Sequence, residues 1–292
     1  MSAASPKVVV EKDQAGQPHH GKVFVVVHAH LDDVPYFAGG LCVKLMKEGY
    51  TGYIVRTSND EKYGGHTIAE NILSNEQEHL KMAKVLGFQD VFDLYYRCHR
   101  MNEISPVEIR GRLTFILRAL KADTVISFDP SAAAEKDGDH EETGRAVDDA
   151  CAMCGSESDF AEHLEAGFPA HSISERYYFR SRPEQQFNRV VDISPYIEKK
   201  IDAIVECKSQ GGGARGSELR ARLAKQGRRL PVLGSDDQTA NREYVRHFLL
   251  DDYREYGKQY NLQWAERFHY VDERPPARSK VDEYVERNSV RI

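Results

Sequence analysis

Apolar residues fall along the chain in short continuous runs, separated by longer stretches of helical spacing. Val23-Phe24-Val25-Val26-Val27 is continuous and β-rich, the pattern of a strand buried on both faces. A polar stretch from His28 to Tyr36 follows, and then Phe37, Leu41, Leu45 and Met46 recur at helical spacing. The unit repeats: Tyr53-Ile54-Val55 precedes a helix around Asn71 to Leu86, Val91 to Tyr95 precedes one from Pro106 to Leu120, and Thr124 to Phe128 precedes one starting near His140. Such alternation predicts an α/β fold with a Rossmann-like, mostly parallel sheet and helices on both faces. Arg176 to Phe179 and Arg189 to Ile193 read as two further strands. Ser194-Pro195 starts a helix running to Gln210, Gly211-Gly212-Gly213 breaks it, and helical stretches over Glu218 to Arg229 and Asn241 to Tyr260 complete a C-terminal helical extension.

Composition narrows the class. Of 292 residues, 40% are hydrophobic and 29% charged, which describes a soluble globular chain rather than a membrane or disordered one. No window approaches eighteen apolar residues, so no membrane span is expected. A net charge of −6 argues against a nucleic-acid partner, which needs a dominant cationic surface, and favours a small molecule. The five cysteines are an odd number without a framework, and residues 1–20 lack the pattern of a signal or transit peptide, so the expected compartment is the cytoplasm.

The chemistry concentrates at two strand ends. His28-Ala29-His30-Leu31-Asp32-Asp33 follows the first strand, and Asp137-Gly138-Asp139-His140 follows the fourth and opens a helix. In a strand order such as 3-2-1-4-5 these strands are neighbours at the topological switch point, where open α/β sheets bind ligands, so the loops would face one another. His30, Asp33 and His140 form a zinc ligand set that leaves one position for water. Asp32 and Asp33 point in different directions, so Asp33 can bind metal while Asp32 serves as general base. Taken singly, each residue has a blander reading, such as Asp139 capping a helix or His28 hydrogen-bonded in the core; together, at matched strand ends, they indicate a site.

These loops resemble the His-Pro-Asp-Asp-Glu and His-Pro-Asp-His motifs of the PIG-L/LmbE-like deacetylases, zinc-dependent enzymes that remove acyl groups from N-acetylglucosamine derivatives and related amides. Gly144-Arg145-Ala146-Val147, Glu78 with Ala83 to Gly87, Lys208-Ser209-Gln210 and Ala265-Glu266-Arg267-Phe268 continue the resemblance in order over residues 22–270. It implies His30, Asp33 and His140 as metal ligands, Asp32 as general base, one zinc per chain, and compatibility with a homo-oligomer. Residues 1–21 are then a flexible N-terminal segment and residues 271–292 a peripheral tail, with Pro275-Pro276 inside it. Departures fall on the substrate side: Leu31 and Val34 replace Pro and Glu, Asn75 stands where an Arg precedes Glu78, Cys207 replaces a His before Ser-Gln, and Asp137 replaces a His that helps stabilise the oxyanion. Asp137 and Asp139 join Asp32 as catalytic candidates, and His28, Asn75, His99 and His171 are substrate-binding candidates.

The expected activity is metal-dependent removal of an acyl, chiefly acetyl, group from an N-acylated amino sugar or related amide. Two other readings use the same residues. His28-x-His30-x-Asp32-Asp33 also resembles the His-x-His-x-Asp-His loop of metallo-β-lactamase-like hydrolases, a sandwich of two mixed sheets. A non-catalytic zinc and sugar binder would account for the lost family His and Arg, but has no use for a free Asp32 beside the metal. Gly39-Gly40 lacks the spacing of a dinucleotide loop. Cys151 and Cys154 read as small core residues, and the basic run from Arg215 to Arg229 as a solvated helix face.

Overall fold

Val23–His28 forms the central strand that its apolar run predicts, and its alternate side chains enter different cores. Phe24 and Val26 join one apolar cluster, Val25 and Val27 the other. The computed structural model describes residues 8–131, 135–273 and 280–290. Along the chain run β1 (Val9–Glu11), β2 (Val23–His28), α1 (Asp33–Phe37), α2 (Gly39–Lys47), β3 (Thr51–Ser58), α3 (Ile68–Leu86), β4 (Asp90–Tyr96), α4 (Pro106–Leu120), β5 (Thr124–Phe128) and α5 (Gly138–Cys154). Then follow α6 (Ala161–Glu165), β6 (Glu175–Phe179), β7 (Arg189–Asp192), α7 (Ile197–Glu206), α8 (Arg215–Lys225), α9 (Asp237–Tyr244), α10 (Asp251–Gln259), β8 (Ala265–Asp272) and α11 (Lys280–Asn288).

The sheet runs β1-β7-β8-β6-β5-β2-β3-β4. All pairings are parallel except those of β8 with β6 and β7. The strands read first and fourth from the sequence are β2 and β5, and they are neighbours, Phe24 opposite Thr124. Leu41 and Leu45 of α2, Met82 and Leu86 of α3, and Ile201 and Ile204 of α7 cover one face. Ile109, Leu113 and Leu117 of α4 and Val147 and Ala150 of α5 cover the other. This is the expected Rossmann-like arrangement with helices on both faces, and a single sheet so covered is not the two-sheet sandwich of a metallo-β-lactamase.

The chain departs from the sequence reading at its ends. The segment before residue 22, expected to be flexible, supplies edge strand β1: Val9 to Glu11 pair with Arg189 to Val191, and Glu11 accepts a 2.8 Å bond from the buried Lys44. Strand β8 extends to Asp272, past the expected boundary at residue 270, while α11 is exposed along its length. Pro275-Pro276 lie outside the described residues. The single helix expected over 241–260 is α9, a π turn at Val245–Leu249 and α10, with the break at Leu250. Helix α7 stops at Glu206 because Glu78 of α3 captures the backbone N–H groups of Lys208 and Ser209, each at 2.8 Å. Among the described residues no helix is long and apolar enough to cross a membrane.

Candidate metal and catalytic centre

The loop leaving β2 is held by two carboxylates. Asp33, first residue of α1, accepts from the backbone N–H groups of Ala29 at 3.1 Å and His30 at 2.7 Å. Asp60 accepts from Leu31 N at 2.9 Å and is itself held by Arg56 at 3.1 Å. Three successive amides are thus satisfied by side chains, which aims His30 across the switch point at the start of α5.

There His30 Nδ1 lies 3.1 Å from His140 Nε2, and Asp33 Oδ1 lies 3.3 Å from the same nitrogen. Asp33 Oδ2 is 4.0 Å from His30 Nδ1. Ligand bonds of about 2.0–2.1 Å to a tetrahedral zinc put neighbouring donors about 3.3 Å apart, so this buried triangle of two imidazoles and a carboxylate fits a divalent metal. The outward nitrogens also meet carboxylates: Asp139 Oδ2 is 3.3 Å from His30 Nε2, and Glu135 Oε2 is 3.4 Å from His140 Nδ1, an ion-pair distance without hydrogen-bond alignment. Asp139 is fixed by accepting from His99 N at 2.6 Å, Glu135 by Ser181 and Arg182, each at 2.7 Å. His140 also stacks on Phe128, ring centroids 4.0 Å apart.

Burial opposes ionisation of every group in the centre, and the partners decide the outcome. The charge and hydrogen bond of His140, with the charge of His30, hold the Asp33 carboxyl at about 2 despite burial. For Asp32, burial and the adjacent Asp33 charge outweigh the charge of His30 and push it up to about 7. Two consecutive carboxylates thus have opposite electrostatic environments.

The centre opens into a cavity of about 530 Å³ lined by His30, Asp32, Asp33, Asp137 and His140. Tyr63, Ser209, Gln210, Gly211 and Arg215 complete the part that sequence reasoning missed. Gly211, at φ +74°, presses on Asp32: a Cβ there would lie 2.6 Å from the Asp32 Cβ. The Gly-Gly-Gly run was the available signal, though it reads equally as a plain helix break. Arg215 belongs to the run read as a solvated face, and only its position at the start of α8 brings it to the cavity.

The other expected residues divide. Asp137 lines the cavity but spends Oδ1 capping α5, accepting from Asp139 N at 2.9 Å, while Oδ2 lies 3.8 Å from His99 Nε2. His99 is exposed, with φ +59°, and its Nε2 lies 3.0 Å from the hydroxyl of Tyr63, which lines the cavity. Asp139 is buried behind His30 and is absent from the cavity wall. Three substrate-binding expectations are corrected. His28 is fully buried, bonded to His30 O at 2.7 Å and His79 at 3.1 Å. Asn75 is buried and backs the cavity indirectly, its Oδ1 accepting from Gln210 at 3.3 Å. His171 lies 3.7 Å from Asp123, which precedes β5, so it sits at the opposite end of the sheet from the centre.

Comparison with known proteins agrees with this geometry. The PIG-L family, described as GlcNAc-PI de-N-acetylase, matches residues 25–151, a segment that holds both loops. The family recognised from the two motifs is therefore the one found. The probable N-acetyl-α-D-glucosaminyl L-malate deacetylase 2 of Bacillus anthracis is 26% identical over 192 residues, 64% of this chain and 80% of that protein. The N,N′-diacetylchitobiose deacetylase structure from Pyrococcus horikoshii superposes with a TM-score of 0.68 at 23% identity, covering 89% of this chain and 87% of its own. GalB, the 4-carboxy-2-hydroxymuconate hydratase of Pseudomonas putida KT2440, superposes with a TM-score of 0.61 at 18% identity, covering 88% of this chain and 99% of its own.

Proposed function

We propose that the chain, whose residues 25–151 match the PIG-L family, is a zinc-dependent deacetylase, removing an acetyl group from an N-acetylated amino sugar or related amide. The observation that carries the reading is the triangle of His30, Asp33 and His140 with Asp32 beside it on one cavity wall. The fold cannot carry it alone, since the same fold serves a hydratase. The deacetylase relatives support the substrate class.

His30, Asp33 and His140 would hold the zinc, which supplies a Lewis acid that polarises the amide carbonyl and acidifies water. Asp32 takes the proton of the attacking water and returns it to the leaving amine. Gly211 packs against Asp32 and keeps its carboxyl beside the reacting groups. Asp139 hydrogen-bonds the outward nitrogen of His30, and Glu135 faces that of His140 at ion-pair distance. Oδ2 of Asp137 would repel a developing oxyanion, so it faces the amine or hydroxyl groups of the substrate, while the Tyr63 hydroxyl, beside His99, is a donor on that wall.

The test is acetate release from a panel of N-acetylated amino sugars, with metal content measured in parallel. Chelator abolishes release and zinc restores it; Asp32→Asn keeps its metal and loses about a hundredfold or more in turnover. Parent-rate hydrolysis by Asp32→Asn removes the general base, and loss of its metal makes Asp32 a ligand. Absence of acetate release from the whole panel overturns the substrate class and leaves a zinc and sugar binder.

A further inference from the structure

Tyr36 and Phe37 line the catalytic cavity and also a second one, of about 210 Å³. The guanidinium groups of Arg180, Arg182 and Arg267 line this second space, with Asp252 the one carboxylate on its wall. Arg182 is already matched by Glu135 at 2.7 Å. Arg180 donates Nε to Gln185 O at 2.8 Å and Nη2 to Pro183 O, which leaves its Nη1 without a hydrogen-bond partner among the described residues. Arg267 differs from both. It is 9% exposed, it lies over the rings of Tyr256 and Phe187, and its Nε and Nη2 are buried with no hydrogen-bond partner among the described residues.

A buried cation with unused donors is costly in the absence of an anion. Aromatic faces recover part of that cost but occupy none of the in-plane N–H groups. Burial, and then the charge of Arg180, lower the Arg267 pKa to about 10, which still leaves it cationic at neutral pH. The fold brings the two arginines together: β6 and β8 pair with Phe179 opposite Phe268, so Arg180, one residue beyond β6, and Arg267 meet at the same end of the ladder.

We propose that this second cavity is an anion subsite, in which Arg267 and Arg180 hold a carboxylate or phosphate that the substrate carries beyond its amide. Both spaces are lined by Tyr36 and Phe37, so a molecule that passes these two side chains would reach from one to the other. The inference rests on reading the first cavity as the deacetylase centre, and it narrows the substrate to an N-acetylated amine bearing an acidic substituent.

Two measurements test it on the full-length, metal-loaded protein. In the first, inorganic phosphate and succinate are titrated calorimetrically into the parent, Arg267→Met and Arg180→Gln. At least one anion binds the parent and binds at least tenfold more weakly to both variants; the less buried Arg180 keeps the test decisive if Arg267→Met fails to fold. Unchanged affinity in a folded Arg180→Gln, or no binding of either anion to the parent, overturns the subsite. In the second, kcat/KM is compared for the methyl glycoside of N-acetylglucosamine, its carboxymethyl glycoside and N-acetylglucosamine 1-phosphate. The parent prefers an anionic compound, the two anionic arms tell carboxylate from phosphate, and the preference falls at least tenfold in Arg180→Gln. Equal kcat/KM for all three in the parent overturns the proposal. If none of the three is hydrolysed, the deacetylase reading fails, and the titration alone decides the subsite.

Discussion

Asp139 and Glu135 touch no part of the cavity that a substrate needs, yet each faces the histidine nitrogen turned away from the shared point. Such carboxylates fix ring orientation and raise ligand basicity, and their loss typically costs ten- to a hundredfold in metal affinity. Asp139→Asn and Glu135→Gln should therefore bind zinc ten- to a hundredfold more weakly, as measured by competition against a chelator, while keeping a folded circular dichroism spectrum. Parent-like affinity in both would show that the rings are oriented by packing alone. The two residues were unequally legible in the sequence. Asp139 adjoins His140 and is picked out with it, as a catalytic candidate that orients a neighbouring group. Glu135 sits in a polar loop where acids are usually solvated, and the partners that fix it, Ser181 and Arg182, come from the far end of β6. His30, Asp32, Asp33 and His140 were readable because a buried strand in a parallel sheet delivers the residues after it to one edge. His28, the last residue of β2, is turned into the protein instead, a direction that composition does not encode.

At the scale of elements, the catalytic edge is braced by a buried ion pair that joins four of them. Lys200 of α7 and Glu266 of β8 meet at 2.8 Å with neither side chain exposed. Glu266 also accepts from the N–H groups of Gly40 and Leu41 at 2.8 Å each, closing the N-terminus of α2. Lys200 donates to Pro35 O at 2.9 Å at the end of α1, the helix that begins with Asp33. Removing one member of such a pair leaves the other charge buried, at a cost of about 3–5 kcal/mol. Lys200→Met should lose stability of that order in urea denaturation at constant m-value, and Lys200→Met combined with Glu266→Gln should cost less than the sum of the singles. A loss under about 1 kcal/mol for Lys200→Met would mean that the amides of Gly40 and Leu41 suffice to neutralise Glu266. The same pair explains why β8 was not read as a strand. Glu266 and Arg267 break the apolar alternation that marks strands elsewhere, and the charge of Glu266 is answered within the fold by Lys200 rather than by solvent. Helix α3, by contrast, was legible at its C-terminus, where Gly87 is the C-cap, while the Thr67–Glu70 capping box starts it at Ile68 rather than at the expected Asn71.

Across the whole molecule, the order of the strands decides what the loops can do. Strand β2 pairs with β3 on one side and β5 on the other, so the chain winds outward in opposite senses from the line between β2 and β5. The alternation of strands and helices was enough to anticipate that neighbourhood, since right-handed crossovers leave few other orders. It did not anticipate β8 inserted antiparallel between β6 and β7, or β1 at the edge, because those pairings join segments far apart in sequence with short or charged strands. The consequence for stability follows from where the metal ligands sit. His30 and Asp33 belong to the β2 side and His140 to the β5 side, so a bound ion would clamp the two halves of the sheet across the switch point. A ligand that binds only the folded state stabilises it by about 2.7 kcal/mol at a hundred times its Kd. Zinc should therefore raise the Tm of the metal-free protein by several degrees, and chelator should reverse the rise. His140→Ala should abolish most of the zinc-dependent shift, because it removes the only one of the three residues on the β5 side. The decisive measurement is calorimetric unfolding of the parent and His140→Ala at matched free zinc. An equal shift in both would place the stabilising ion elsewhere and detach the His30, Asp33 and His140 triangle from metal binding.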